Sequence, residues 1–163
     1  MTAAVLSIGS NVGDRTAALQ QAVDTLRRWV TAISAVYETP PWGPVAQDDY
    51  LNAVVLVADP SAAPGDWLAR AHTAEQAAGR TREVRWGPRT LDVDVIAVDD
   101  VVSDDPALTL PHPRAAQRAF VLIPWVEVDP GAVLAGRPVS VLLRELDQAD
   151  VAGVRRRPEL ALA

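Results

Sequence analysis

Between residues 3 and 98, four short apolar runs alternate with two stretches of helical spacing, and that order restricts the fold more than any other property of the chain. Residues 3–8, 33–38, 50–58 and 90–98 have strand length, and 50–58 is rich in valine and leucine. Leu19, Ala22, Val23, Leu26, Trp29 and Val30 recur at helical spacing and predict a helix over 15–30 with Asp14 as its N-cap. Trp67, Leu68, Ala71, Ala74 and Ala78 form the inner stripe of a second helix, 63–78, with Pro64 in its first turn and Gly79 at its end. The resulting βαββαβ order predicts an α+β fold, a ferredoxin-like plait whose helices lie over one face of a largely antiparallel sheet. C-terminal additions follow: short helices near 114–123 and 139–146, then a tail over 152–163 with no period beyond the basic triplet Arg155, Arg156 and Arg157. No repeat or linker interrupts the 163 residues, so one domain, 1–163, is expected, large enough to bury its own core.

Composition removes several function classes. The chain has no cysteine, which excludes disulfides and thiolate zinc sites. A net charge of −6 argues against a general nucleic-acid binder. The first residues lack the basic segment of a secretory signal, and the longest apolar run, 119–126, is too short to cross a bilayer. A cytoplasmic location without membrane association is expected. All fifteen basic residues are arginine, so any grip on phosphate must be guanidinium-based.

The chemistry concentrates in Arg85-Trp86-Gly87-Pro88-Arg89-Thr90-Leu91-Asp92-Val93-Asp94. On a strand, side chains at i and i+2 share a face about 6.5–7 Å apart, so Asp92 and Asp94 point one way and Leu91, Val93 and Val95 the other. A carboxylate pair so placed suits one or two Mg2+ ions, which prefer few protein carboxylates together with waters and phosphate oxygens. A solvated pair salt-bridged to Arg85 and Arg89 is the competing explanation. Trp86-Gly87-Pro88 argues against it, because Gly and Pro set a turn and Trp offers a rigid stacking plane.

Three further groups stand beside this motif. His72 and Glu75 lie one helical turn apart and lead into Gly79-Arg80-Thr81-Arg82; alone, they also suit a solvated rim. Leu108-Thr109-Leu110-Pro111-His112-Pro113, with Arg118 and Phe120 after it, holds a histidine between two prolines, fit for a phosphate or base or for a structural hydrogen bond. Thr39-Pro40-Pro41-Trp42-Gly43-Pro44 with Tyr50-Leu51-Asn52 could seat a flat heterocycle between aromatics while Asn52 reads its edge; core packing is the alternative for Tyr50. Gly9-Ser10-Asn11-Val12-Gly13-Asp14 follows a strand and precedes a helix, yet its spacing matches neither G-x-G-x-x-G nor the Walker pattern. A turn and an N-cap account for it.

Gly9-Ser10-Asn11, Tyr37-x-Thr39-Pro40-Pro41-x-Gly43-Pro44, Tyr50-Leu51-Asn52-Ala53, Glu75-x-x-x-Gly79-Arg80, the 85–94 block and Leu110-Pro111-His112-Pro113 occur in that order. Together they resemble the 6-hydroxymethyl-7,8-dihydropterin pyrophosphokinase family of folate synthesis, over about residues 3 to 130. The resemblance implies transfer of the β,γ-pyrophosphoryl unit of ATP to the pterin hydroxymethyl group, with release of AMP. It further implies that Asp92 and Asp94 hold two Mg2+ ions, and that the catalytic set is Asp92, Asp94, Arg82 and Arg89. By the same similarity ATP meets His72, Glu75, Arg80, Arg82, Trp86, Arg89, Thr109, His112 and Arg118. The pterin would lie between Trp42 and Phe120, edged by Thr39, Pro40, Tyr50 and Asn52. A monomer whose partners are these two small molecules is expected. The chain departs from some members at Ala107, where they carry an arginine, and at Trp42, where they carry leucine.

Overall fold

A computed structural model describes residues 2–41, 43–44, 46–79 and 90–163. Its centre is a six-stranded sheet in which every pairing is antiparallel. Strand β1 (Thr2–Ser10) leads to helix α1 (Arg15–Leu26), then to β2 (Val30–Ile33), β3 (Tyr37–Thr39) and β4 (Tyr50–Asp59). Helix α2 (Pro64–Ala77) and β5 (Asp92–Val98) follow. β1 lies in the middle between β4 and β5, while β2 and β3 share the far edge of β4. Asp14 caps α1 as its residue type predicts, accepting from the Ala17 N–H at 3.0 Å. Gly79, φ +72°, takes the left-handed position just past α2.

Several expected boundaries move. Helix α1 stops at Leu26 and tightens into a 3-10 turn over Arg27–Trp29 instead of running to residue 30. Val30 is by then extended and paired with Val57. Stopping there also sets Trp29 edge-on against Trp67, their ring centroids 6.2 Å apart, with the Arg70 guanidinium 3.8 Å over Trp29 and 2.7 Å from Asp59. The strand expected over 33–38 is split into β2 and β3. Ser34 takes over strand pairing at the break: its N–H donates to the Val54 carbonyl and its Oγ accepts from the Val54 N–H, both at 2.9 Å. The five residues from Ile33 to Tyr37 therefore oppose the four from Val55 to Asn52.

The sheet is covered on both faces, not on one. Leu6, Ile8, Leu51, Ala53, Val55, Val93 and Val95 pack against Leu19, Val23 and Leu26 of α1 and Trp67, Ala71 and Ala74 of α2. On the other face Val54 and Ile96 meet a second core built by the C-terminal additions. The first of these additions is hairpin β6 (Ser103–Asp105) with β7 (Leu108–Leu110), whose Leu108 and Leu110 join the first core; in the second core a 3-10 turn at Ala115–Gln117 and helix α3 (Ala119–Val128) follow. Hairpin β8 (Val133–Leu134) with β9 (Arg137–Pro138) and helix α4 (Val139–Arg144) complete that core. Helix α3 thus starts and ends later than the expected 114–123, because Arg118 is extended and only then does the apolar run 119–126 turn helical. A bulge against Val5/Leu6 shifts the parity of β5, so Ile96 and Ala97 both face the second core.

The tail is ordered where no period announced it. Helix α5 (Gln148–Ala152) precedes β10 (Arg155–Arg156), which pairs with β3 and forms the last strand on that edge. The Arg157 N–H donates to the Val36 carbonyl at 2.8 Å, and Leu160 and Leu162 reach the first core.

Candidate functional site

Antiparallel register gathers the polar motifs at one end of the sheet. Tyr37 opposes Asn52, Asn52 opposes Gly9, and Gly9 opposes Asp92, so four strands contribute to a single row. The next row on that face holds Val54, Ser7 and Asp94. Asp92 and Asp94 therefore stand on the face opposite Val93 and Val95, as their alternation predicts.

Gly9 makes the row possible. A Cβ on Gly9 would stand 2.8 Å from Asn52 Oδ1 and 3.4 Å from Cδ1 of Tyr50. With no side chain there, the Asn52 amide lies across β1, and its Nδ2 donates to Thr39 Oγ1 at 2.7 Å. Both partners are buried, so the bond fixes the rotamer of each. Tyr50 is half-buried beside them.

The aspartates are held from two sides. Glu75, buried on α2, accepts the Val93 N–H at 3.0 Å and pins the outer edge of β5 between Asp92 and Asp94. Arg118, at the start of α3, brings Nη1 to 3.7 Å from Asp94 Oδ2, with its side chain 11% exposed and that of Asp94 42%. Burial pulls the Arg118 pKa below its ordinary value while Asp94 opposes the shift, so the guanidinium stays charged and tied to the carboxylate. The Arg118 guanidinium also lies 5.5 Å over the Phe120 ring.

His112 docks on the same strand. Its N–H donates to the Ile96 carbonyl at 2.8 Å, and its Nδ1 accepts the Arg114 N–H at 3.2 Å. Burial, then Arg118 and Arg114, push its pKa down to about 4. The ring is therefore neutral near pH 7, and with Nδ1 accepting, the proton sits on Nε2 as a donor suited to a phosphate oxygen.

The other expected contacts are dispersed. His72 is exposed on α2, whereas Glu75 next to it is buried, so the two do not form one surface. Thr109 Oγ1 donates to the Asp105 carbonyl inside the β6–β7 hairpin. Pro40 and Phe120 line a cavity of about 150 Å³ together with Thr39. Trp42, Arg80, Arg82, Arg85, Trp86 and Arg89 lie outside the described residues.

Asn11 and Arg15 do clear work at this end, although the sequence suggested no site role for either. Asn11, 2% exposed, donates from Nδ2 to Gln47 Oε1 at 2.7 Å and to the Asp48 carbonyl at 2.9 Å, fastening the loop before β4. Arg15 Nη1 donates to Glu38 Oε2 at 2.8 Å and to the Asp49 carbonyl at 3.0 Å. Arg15, joined by Arg157, holds the Glu38 carboxyl below the usual range even though burial opposes the shift. The asparagine at the end of β1 and the arginine after the N-cap were the available clues, but their partners lie some 20 to 40 residues away.

Among the described residues no cluster of three or more histidine, aspartate or glutamate side chains could cage a metal. Two carboxylates on an open face, flanked by arginine, fit a cation that draws its remaining ligands from water and phosphate.

A model of the family "7,8-dihydro-6-hydroxymethylpterin-pyrophosphokinase (HPPK)" matches residues 5–130. The 2-amino-4-hydroxy-6-hydroxymethyldihydropteridine pyrophosphokinase of Mycobacterium tuberculosis is 51% identical over 168 residues, covering 95% of this chain and 89% of the relative. The proteins of that name from Methylorubrum extorquens and Bacillus subtilis are 43% and 41% identical, covering 93% and 77% of this chain and 98% and 77% of theirs. In fold, the chain is similar to the crystal structures of wild-type Plasmodium falciparum HPPK-DHPS with SDX-DHP (TM-score 0.67, 12% identity) and with pterin and p-hydroxybenzoate (TM-score 0.68, 12% identity). It is covered to 88% and 96% in those matches but spans only 44% and 45% of the Plasmodium chains. The chain belongs to the 7,8-dihydro-6-hydroxymethylpterin-pyrophosphokinase family.

Proposed function

We infer that this chain transfers the β,γ-pyrophosphoryl group of ATP to the hydroxymethyl group of 6-hydroxymethyl-7,8-dihydropterin, giving the pterin diphosphate and AMP in folate biosynthesis. Family membership supplies the reaction. The observation that supports it most directly is the row in which Asn52 and the Asp92/Asp94 pair stand on either side of Gly9. It sets an edge-reading amide beside a phosphate-side carboxylate pair, which is the juxtaposition a transfer between a heterocyclic alcohol and a nucleotide requires.

In this reading the acceptor oxygen attacks the β-phosphorus of ATP, the bond from that phosphorus to the α,β-bridging oxygen breaks, and the hydroxyl proton passes to solvent. Asp92 and Asp94 would hold Mg2+, two ions in our proposal. When bound, Mg2+ neutralises phosphate charge and polarises the attacking hydroxyl. Arg118 keeps Asp94 oriented, Glu75 keeps β5 in register behind both aspartates, and the neutral His112 donates from Nε2 toward the nucleotide. Thr39 and Asn52, locked to each other, present a fixed edge to the pterin, with Pro40, Tyr50 and Phe120 around it. We extend the ATP site to His72, Glu75, Arg80, Arg82, Trp86, Arg89 and Thr109, the catalytic set to Arg82 and Arg89, and the pterin site to Trp42. We also propose a single-domain ferredoxin-like plait acting as a cytoplasmic monomer; no described helix is long and apolar enough to cross a membrane.

Incubation with ATP, Mg2+ and the hydroxymethyl dihydropterin tests the assignment. Pterin-dependent AMP without ADP is expected. Phosphate release without pterin would make the chain a phosphohydrolase, and binding without turnover a silent module.

A further inference from the structure

The cavity beside Thr39, Pro40 and Phe120 has a second wall. Ala149 and Asp150 of α5, with Gly153 and Val154 after it, line the same 150 Å³ from the opposite side. We propose that the C-terminal tail is part of the acceptor site and that Gly153 determines which acceptors fit, an inference that rests on the pterin reading above.

Gly153 is not needed for its backbone. Its φ of −73° and ψ of −13° lie in the right-handed helical region, open to every L-residue. What its missing side chain provides is space. A Cβ there would meet Pro40 Cδ at 3.5 Å and the carbonyls of Ala149 and Asp150 at the same distance, ordinary contact on three sides. A longer side chain must displace Pro40 or project into the cavity.

The wall is fastened to the strand that carries Thr39. β10 pairs with β3, matching Arg155 to Glu38 and Arg156 to Tyr37. Arg155 Nη2 reaches Glu38 Oε1 at 3.3 Å and Asp49 Oδ2 at 3.0 Å, and Arg157 Nη1 reaches Glu38 Oε1 at 2.7 Å. Asp49 immediately precedes Tyr50, so the tail grips both ends of the 40–49 loop. Asp150 adds a carboxylate to the lining, which favours a neutral, donor-bearing heterocycle over an anionic one at this end of the cavity.

The test measures KM for the hydroxymethyl dihydropterin, KM for ATP and kcat in wild type, Gly153→Ala and Gly153→Leu, with melting temperatures alongside. Gly153→Leu is expected to raise the pterin KM about tenfold or more and Gly153→Ala to raise it by less, while ATP KM stays within about twofold in both. Should Gly153→Leu not fold, Ala149→Leu on the exposed side of α5 crowds the same cavity and is read the same way. Turnover by wild type with an unchanged pterin KM in the leucine variants would overturn the role of the tail alone. Failure of wild type to bind pterin would bring down the acceptor assignment beneath it.

Discussion

Replacing Gly9 by alanine adds one methyl group at the crossing point of the proposed site. β1 is extended there and Gly9 is not among the positive-φ glycines, so alanine meets no backbone penalty and the effect is steric. The new carbon would lie 2.8 Å from Asn52 Oδ1, closer than nonbonded contact allows. Either β1 and β4 separate, which breaks a pairing that runs from Thr2↔Asp59 to Ser10↔Leu51, or the Asn52 side chain rotates. Rotation is the lesser cost: about 0.5–1.5 kcal/mol for a strained rotamer and about 1–3 kcal/mol for a buried amide and hydroxyl left without each other. Stability should fall by about 2–3 kcal/mol, which for a domain of this size lowers Tm by roughly 4–12 °C. With the Asn52 edge displaced, pterin KM should rise about tenfold, the worth of one lost hydrogen bond, while ATP KM is unchanged. Urea melts and initial rates at varied pterin give both numbers. Asn52→Ala supplies the internal control, because removing the amide makes room for the methyl and the double variant should be no less stable than Asn52→Ala alone. Gly9→Ala with wild-type Tm and wild-type pterin KM would refute the close-approach role of Gly9.

Other perturbations separate the remaining supports. Asp92→Asn or Asp94→Asn should each lower kcat at least ~100-fold in an AMP-release assay at saturating Mg2+; near-normal turnover in both would remove the metal assignment. Glu75→Leu leaves the Val93 N–H without its acceptor and should cost about 1–3 kcal/mol in denaturant melts, whereas Glu75→Gln, which keeps a carbonyl oxygen, should cost much less. His112 contributes a pH dependence of known sign: its folded pKa of about 4 lies below the ordinary 6.5, so the unfolded chain takes up the proton first. Stability should then decline as pH falls from about 6.5 to about 4, by about 1–2 kcal/mol after allowance for its partial exposure, and His112→Gln should flatten that slope. A slope of the same size in His112→Gln would assign it to another group.

Legibility followed the range of the interactions. The Asp14 cap, the Gly79 stop and the strand alternation of β5 could be read because each depends on residues within a turn or two. The division of the 33–38 run could not, because Ser34 breaks it by bonding to Val54 across the sheet. Nor could the tail: Arg155, Arg156 and Arg157 have no periodicity, and their place is set by Glu38, Asp49 and Glu127, 29 to 119 residues away. Glu75 was legible as a candidate ligand, but its burial under β5 depends on the packing of α2 against that strand.

By itself the sequence determined the element order, the shared face of Asp92 and Asp94, the arginine-only basic set and the family, since alternation, helical period and motif spacing are properties of local chain geometry. Tertiary structure alone decided that Gly9 stands between Asn52 and Asp92, that Arg118 meets Asp94, and that the tail walls the cavity beside Thr39 and Phe120. Those arrangements depend on which strands pair and in what register. Register is a collective outcome of burying both faces of the sheet at once, so no single segment encodes it.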